Sequence, residues 1–265
     1  METIPPSMWT EARLHNQKSS LLSKSEIIVF DGDSITSRRI GPSRDTWPYL
    51  RLTNAERQYP ERVDEWLFCN RPDLKTSCKV AAVGGSTCAA MLERFETALA
   101  PHQPTLVVFT VGSNDAAHGV SLGTFLHHLT DYCDRVQHLG AKLLYISGMK
   151  PCPNLEESLC QRLETCQSYY RAAMDTVVQL GGQVLDIGDE MQARAKALVA
   201  LYSGHTVYSD GQHFNAIGNH IIAALVLEKL GVLTLSRMDA GGEESSEGAL
   251  EYVKIKGDAQ ARANG

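Results

Sequence analysis

Residues 27–36, I-I-V-F-D-G-D-S-I-T, pass from an apolar run to a glycine and then to a serine. Ile27 to Phe30 are β-branched or aromatic and too few for a helix, so they predict a buried strand. Gly32 allows a sharp turn where the strand ends and presents Ser34 at the carboxyl edge, where open α/β sheets hold their sites. Ser34 in this position is either a nucleophile or the cap of the next helix, and this stretch alone leaves both roles open.

Four more short apolar runs alternate with segments of helical periodicity. They predict strands at Lys79–Val83, Thr105–Val111, Leu143–Ser147 and Val184–Ile187. The run L-V-V-F-T-V within Thr105–Val111 suits a strand buried on both faces, so we expect it at the centre of the sheet. Strands that alternate with helices require a parallel sheet with right-handed crossovers. The predicted fold class is therefore α/β, a three-layer α/β/α sandwich with a central parallel sheet of about five strands.

The connecting helices follow from apolar spacing and from their end signals. They are predicted at Tyr59–Asn70, Ser86–Leu99, Leu122–Leu139, about Leu155–Leu180, Glu190–Tyr202 and Ala216–Leu230. Trp66 is expected to pack in the core. Asp189 and Asn215 are placed to cap the last two helices.

The charge balance limits the classes of partner. The formal net charge is −6, with 25 basic and 31 acidic residues, which argues against nucleic acid and anionic membranes as partners. No apolar run approaches the roughly 20 residues that cross a bilayer, and the N-terminal residues show no secretory signal. We therefore expect a cytoplasmic protein with no stable membrane insertion and a small-molecule substrate. The oligomeric state is not indicated.

The cysteines and histidines indicate no metal site. Seven cysteines form no C-x-x-C pair, which predicts reduced, mostly buried thiols, with Cys88 as an inert one. Several histidines share no ligand spacing: His118, His127, His128 and His220. No metal and no cofactor are predicted.

Polar residues stand where successive strands end. Ser34 follows the first strand, Gly85 the second and Asn114 the third, while Asp210 and His213 precede the last helix. All strands of a parallel sheet point the same way, so their carboxyl ends share one edge. Residues far apart in sequence are thereby expected in one cleft.

Four blocks in this order carry a resemblance to a known family. They are G-D-S-I-T at 32–36, G-G-S-T at 84–87, G-S-N-D at 112–115 and D-G-Q-H at 210–213. Together they resemble the blocks of the SGNH, or GDSL-type, hydrolases, over residues 27 to about 231. The resemblance implies the flavodoxin-like SGNH hydrolase fold. We expect a lead-in at 1–25, an SGNH-type hydrolase domain at 26–235 and an acidic, flexible tail at 236–265.

By this resemblance Ser34 is the nucleophile, Asp210 and His213 complete the catalytic triad, and Gly85 and Asn114 supply oxyanion donors together with the Ser34 backbone N–H. The chemistry agrees, because a serine hydroxyl needs a base within hydrogen-bond reach and histidine can shuttle the proton. A carboxylate three residues earlier can accept from the imidazole Nδ1 and fix its tautomer. Backbone N–H groups and a side-chain amide can then stabilise the oxyanion.

Two aspartates within these blocks have a structural explanation. Asp33 and Asp115 adjoin expected site residues, and we expect them to hold the loops through backbone hydrogen bonds rather than to act as acids.

The resemblance implies cleavage of carboxylic esters or thioesters. Our first hypothesis is a serine esterase that acts on short-chain acyl esters or acetylated carbohydrates through an acyl-serine intermediate. The alternatives are an acyltransferase with the same triad, a lysophospholipase or thioesterase, and a catalytically silent binding module. Trp47 is either a wall of the substrate pocket or a packing residue. Arg44, with Arg38 and Arg39, either binds an anionic ester or forms a solvated surface.

Overall fold

A five-stranded sheet, with every strand parallel to its neighbours, forms the middle layer of the protein. The structure is a computed structural model, and it describes residues 21–37, 58–150, 157–201, 207–208 and 213–233. The strands are β1 (Ile27–Asp31), β2 (Ser77–Val80), β3 (Leu106–Phe109), β4 (Lys142–Ile146) and β5 (Gln183–Leu185). Their order is β2-β1-β3-β4-β5. The predicted α/β fold class is confirmed.

Strand β3 lies at the centre of the sheet, as its apolar run predicted. All four of its residues are fully buried, because β1 and β4 pair with its two edges and helices cover both faces. In register, Val107 stands between Val29 and Leu143. A strand buried in this way has no polar face, which explains its continuous apolar sequence.

Seven α-helices in the described part of the chain make the two outer layers. They are α1 (Tyr59–Asn70), α2 (Cys88–Glu93), α3 (Ser113–Ala117), α4 (Leu122–His138), α5 (Glu157–Gln179), α6 (Gly188–Leu201) and α7 (Ala216–Lys229). Successive β1 residues point to opposite layers: Ile28 and Phe30 join the core beneath α1 and α7, and Val29 joins the core beneath α2 and α4. This alternation has the two-residue period of a strand and shows why both sides of β1 are apolar.

Helices α1 and α7 pack together through a buried asparagine. The Asn219 side chain accepts a hydrogen bond from the Tyr59 backbone N–H at 3.0 Å and donates one to the Phe214 carbonyl at 3.0 Å. Asn219 is fully buried, so its hydrogen bonds replace those that water would make. The start of α7 is thereby fixed against α1. Trp66 of α1 is buried in the same core, as predicted.

Two helix predictions were wrong in detail. The segment Ser86–Leu99 is not one α-helix: α2 ends at Glu93, and a π-helical turn follows at Phe95–Leu99. Helix α6 begins at Gly188, so Asp189 lies inside its first turn and forms an ion pair with Lys150 Nζ at 2.6 Å. The carboxylate that accepts the Gly188 N–H, at 3.0 Å, belongs to Asp186.

The cap of α7 agrees with expectation, and the cysteines agree in part, because only half of the described ones are buried. Asn215 caps α7 by accepting hydrogen bonds from two backbone N–H groups, at 2.9 and 3.0 Å. The six described cysteines are free thiols, and Cys88, Cys133 and Cys166 are buried. None of the described helices is long and apolar enough to cross a membrane.

Candidate active site

The turn after β1 presents Ser34. Gly32 has φ +130°, and a Cβ at this position would lie 2.3 Å from the carbonyl oxygen of Thr110, which directly follows β3. Only glycine allows both the backbone conformation and this close approach. The chain then turns, with the backbone N–H groups of Thr36 and Ser37 donating to the Asp33 carbonyl. Ser34 therefore lies at the carboxyl edge of the sheet, half-buried beside β3.

His213 lies against this serine although 179 residues separate them in sequence. The distance from His213 Nε2 to Ser34 Oγ is 3.0 Å, which is within the range for direct proton transfer between a hydroxyl and a base. His213 stands two residues before the Asn215 cap of α7, and Phe214 beside it is buried and stacks on Tyr208. Three predicted site residues, Asp210, Trp47 and Arg44, lie outside the described residues.

Asn114, which follows β3, lies near Ser34 and His213. It lies in α3, a short helix that the sequence did not predict, just after Gly112 with φ +118°. Its Nδ2 donates to the Ser86 carbonyl at 3.1 Å and lies 3.4 Å from Asp33 Oδ2. Ser34, Asn114 and His213 line one cavity of about 60 Å³. Three of the five residues predicted for catalysis and oxyanion binding are therefore brought together.

Gly85 lies in the turn after β2 and not in the described wall of that cavity. Its φ of +81° favours glycine, and a Cβ there would meet no atom within 4 Å. Gly84 is the residue that approaches the serine, because a Cβ at Gly84 would lie 3.7 Å from Ser34 Cβ. The need for glycine at position 85 is thus set by backbone conformation.

The two aspartates beside the site hold its loops, as predicted. Asp33 is buried and accepts hydrogen bonds from the Ile35 backbone N–H at 3.0 Å and from Ser113 Oγ at 2.9 Å. Burial raises the pKa of Asp33, and these hydrogen bonds oppose the rise. Asp115 accepts the Cys88 backbone N–H with both carboxylate oxygens, at 3.1 and 3.2 Å. Asp33 therefore links the Ser34 turn to α3, and Asp115 links α3 to α2.

One wall of the cavity was missed by sequence reasoning. It is formed by the end of β4, with Met149, and by Arg162, Cys166 and Tyr170 of α5. The three α5 residues are spaced by four, which places them on one helix face. That spacing was visible in the sequence, but nothing there indicated that this face turns toward Ser34. Burial raises the pKa of the Cys166 thiol, and the nearby Arg162 opposes the rise.

Comparisons with known proteins give a family match and solved structures of similar fold. The model of the GDSL-like Lipase/Acylhydrolase family matches residues 30–221. Among solved structures, the acetylxylan esterase Axe2 of Geobacillus stearothermophilus, in a catalytic-mutant form, superposes with a TM-score of 0.65 at 18% identity, over 82% of this chain and 99% of its own. LAE5, an α/β hydrolase from the metagenome of Lake Arreo in Spain, gives 0.66 at 18% identity, over 82% of this chain and 100% of its own. No curated protein matches in sequence.

Proposed function

This chain belongs to the GDSL-like lipase/acylhydrolase family, and we propose that it hydrolyses short-chain carboxylic esters through an acyl-Ser34 intermediate. That it is a serine hydrolase acting on ester bonds follows from the family. The observation that carries the finer proposal is the 3.0 Å separation of Ser34 Oγ and His213 Nε2, two residues that line the same cavity.

In the proposed first step, His213 Nε2 takes the hydroxyl proton while Ser34 Oγ attacks the carbonyl carbon of the ester. The carbonyl oxygen becomes an oxyanion, and the backbone N–H groups of Ser34 and Gly85 and the Asn114 side-chain amide are the proposed donors to it. Asn114 Nδ2 would give the oxyanion the N–H that now makes the longer, 3.4 Å contact with Asp33 Oδ2. Such donors act strongly because they are already in place when the charge develops. Asp210 is proposed to accept from His213 Nδ1 and to stabilise the imidazolium.

The intermediate then collapses. The bond between the carbonyl carbon and the alcohol oxygen breaks, and the imidazolium returns its proton to the departing alkoxide, leaving an acyl-Ser34 ester. A water molecule takes the place of the alcohol, gives a proton to His213 and attacks the acyl carbon. When this second oxyanion collapses, the bond between the acyl carbon and Ser34 Oγ breaks and His213 gives its proton to Ser34 Oγ, which releases the carboxylic acid and restores the Ser34 hydroxyl.

The cavity favours a short acyl group. A cavity must offer roughly 10–15 Å³ to hold one water molecule. The cavity beside Ser34, with about 60 Å³, therefore accommodates about four to six non-hydrogen atoms. An acetyl or propionyl group fits this room, whereas a long chain would have to leave it. The chain also shares its fold with Axe2, an acetylxylan esterase, so acetylated carbohydrates are the proposed natural class of substrate.

We expect kcat/KM to fall as the acyl chain of a p-nitrophenyl ester lengthens from acetate through butyrate to octanoate. The value of kcat/KM for acetate should be about tenfold or more above that for octanoate, because the longer acyl chain does not fit in the cavity. Steady-state hydrolysis of the three esters, together with release of acetate from acetylated xylo-oligosaccharides, measures this. A maximum at octanoate would instead favour the lysophospholipase alternative.

The acyltransferase alternative uses the same residues and differs only in what attacks the acyl-serine. An added sugar or alcohol would then carry the acyl group away in place of water. Product analysis in the presence of such an acceptor separates the two functions, since a hydrolase releases free acid and a transferase forms a new ester. We propose hydrolysis as the main reaction.

Arg162 favours a second class of substrate, esters with an anionic group. It is the only lysine or arginine among the described residues of the cavity wall, and a guanidinium binds carboxylate or phosphate well. Arg162→Gln is expected to raise KM for mono-p-nitrophenyl succinate by roughly tenfold, because a charge-assisted hydrogen bond contributes about 1.5–3 kcal/mol. KM for the neutral butyrate ester should stay the same.

The matched control for this variant is Arg171→Gln, on an exposed position of the same helix. It should change neither substrate's KM. Equal effects of Arg162→Gln on the succinate and butyrate esters would show that the side chain serves packing and would remove anionic esters from consideration.

A further inference from the structure

An ion pair between a buried aspartate and a partly buried arginine lies next to the candidate site. Asp31, the last residue of β1, is 1% exposed, and Arg94, between α2 and the π-helical turn, places its Nη2 2.5 Å from Asp31 Oδ1. The other carboxylate oxygen accepts the Tyr132 hydroxyl at 2.8 Å, and Oδ1 also accepts the Gly32 backbone N–H at 2.7 Å. The carboxylate is therefore fully engaged, as a buried charge must be.

The Arg94 guanidinium reaches two separate loops. Toward the Ser34 turn it donates to Asp31 and to the Gly32 carbonyl, the latter at 3.1 Å. Toward the Gly85 turn it donates from Nη1 to Ser86 Oγ at 3.0 Å and from Nε to the Ala81 carbonyl at 3.3 Å. One planar side chain thus fixes the distance between the loop that carries Ser34 and the loop that carries Gly85.

The third proposed oxyanion donor is attached to the same group of residues. Ser86, which follows Gly85 directly, accepts the Asn114 Nδ2 hydrogen bond on its carbonyl oxygen at 3.1 Å. Its hydroxyl contacts Arg94 and also donates to the Val83 carbonyl at 2.8 Å. A shift of Ser86 would therefore move both the Gly85 N–H and the Asn114 amide relative to Ser34.

We propose that Arg94, held by Asp31, is a positioning residue that sets the spacing of the oxyanion donors around the Ser34 nucleophile. The proposal rests on the function proposed above. Oxyanion stabilisation depends on donors 2.7–3.1 Å from the developing charge, and a displacement of about 1 Å can cost roughly 10²-fold in rate. Arg94 touches neither Ser34 Oγ nor the His213 ring in any hydrogen bond, so it acts through the loops alone.

The test compares Arg94→Gln and Arg94→Lys with Arg135→Gln, which removes an arginine from the more exposed pair with Asp131. For p-nitrophenyl acetate, Arg94→Gln should lower kcat roughly 10- to 100-fold, with KM changed less than twofold. The inhibition constant of a trifluoromethyl ketone, which forms a tetrahedral oxyanion adduct, should rise by the same factor as kcat/KM falls. The shape of the pH profile should not change.

Arg94→Lys separates positioning from charge. Lysine keeps the positive charge beside Asp31 but has no planar fork with which to hold both loops, so we expect a melting temperature near that of the parent and a kcat still at least fivefold low. Full kcat in Arg94→Lys, or an Arg94→Gln variant with parental kcat and only a lower melting temperature, would overturn the proposal. Arg135→Gln should match the parent in every measurement.

Different outcomes would contradict the proposed function and the proposed role of Arg94. Ser34→Ala is assayed in the same series. If Ser34→Ala retains activity, the proposed function is wrong. If Ser34→Ala is inactive while Arg94→Gln keeps its parental kcat and inhibitor affinity, only the positioning role of Arg94 is wrong.

Discussion

Ser34→Ala is expected to lower kcat for p-nitrophenyl acetate by roughly 10⁴- to 10⁶-fold, the range found when a catalytic serine is removed. The hydroxyl is the only atom that can form the acyl intermediate, and removing it leaves the oxyanion donors and the cavity intact. KM should therefore change little. Labelling by a fluorophosphonate, which reacts with an activated serine, should disappear in the same variant.

The control for Ser34→Ala is Ser168→Ala, which removes an exposed hydroxyl from α5 that contacts only its own helix in the described structure. It should keep full activity and full labelling. A Ser34→Ala protein that folds, as judged by its melting temperature, and still hydrolyses the ester within tenfold of the parent would eliminate the acyl-serine mechanism.

His213→Ala should have the second-largest effect, a fall in kcat of roughly 10⁴-fold or more. With Nε2 3.0 Å from Ser34 Oγ, this ring is placed to remove the serine proton, and no other histidine lies in the described wall of the cavity. The serine would remain but would be a poor nucleophile at neutral pH. Truncation also leaves a space beside Ser34, so added imidazole should restore part of the rate.

The matched variant is His138→Ala, an exposed histidine in the last turn of α4. It should behave as the parent with or without imidazole. Rescue by imidazole that appears only in His213→Ala would support a role as base. Loss of activity without rescue, accompanied by a large drop in melting temperature, would point to a structural role instead.

The sheet was predictable because its physical cause is local. The apolar runs at Ile27–Phe30 and within Thr105–Val111 predict buried strands. The helices that connect the strands predict that they are parallel. The joint position of Ser34 and Asn114 at one sheet edge followed from this topology, and the approach of His213 was implied by the family resemblance. None of these inferences needed a side-chain distance.

What the sequence did not predict depends on contacts between distant segments. Arg94 falls within a run that reads as one helix, and only the break after Glu93 and the packing against β1 direct its side chain to Asp31. The face of α5 with Arg162 has no sequence mark that distinguishes it from a core face. The angle at which a helix crosses the sheet decides which of its side chains face the site. The spacing of apolar residues in the sequence does not reveal that angle.

The hydrogen bonds of Asn219 to Tyr59 and Phe214 have a consequence for biosynthesis. The ribosome makes the Ser34 turn early and α7 among the last described elements, and the proposed base reaches its serine only after α7 has docked on α1. A nascent or C-terminally truncated chain can hold a complete nucleophile turn and yet be unable to cleave an ester. Ester turnover by this protein is therefore expected only after α7 has been made and has docked, and a short pulse of an ester substrate could be used to time that event.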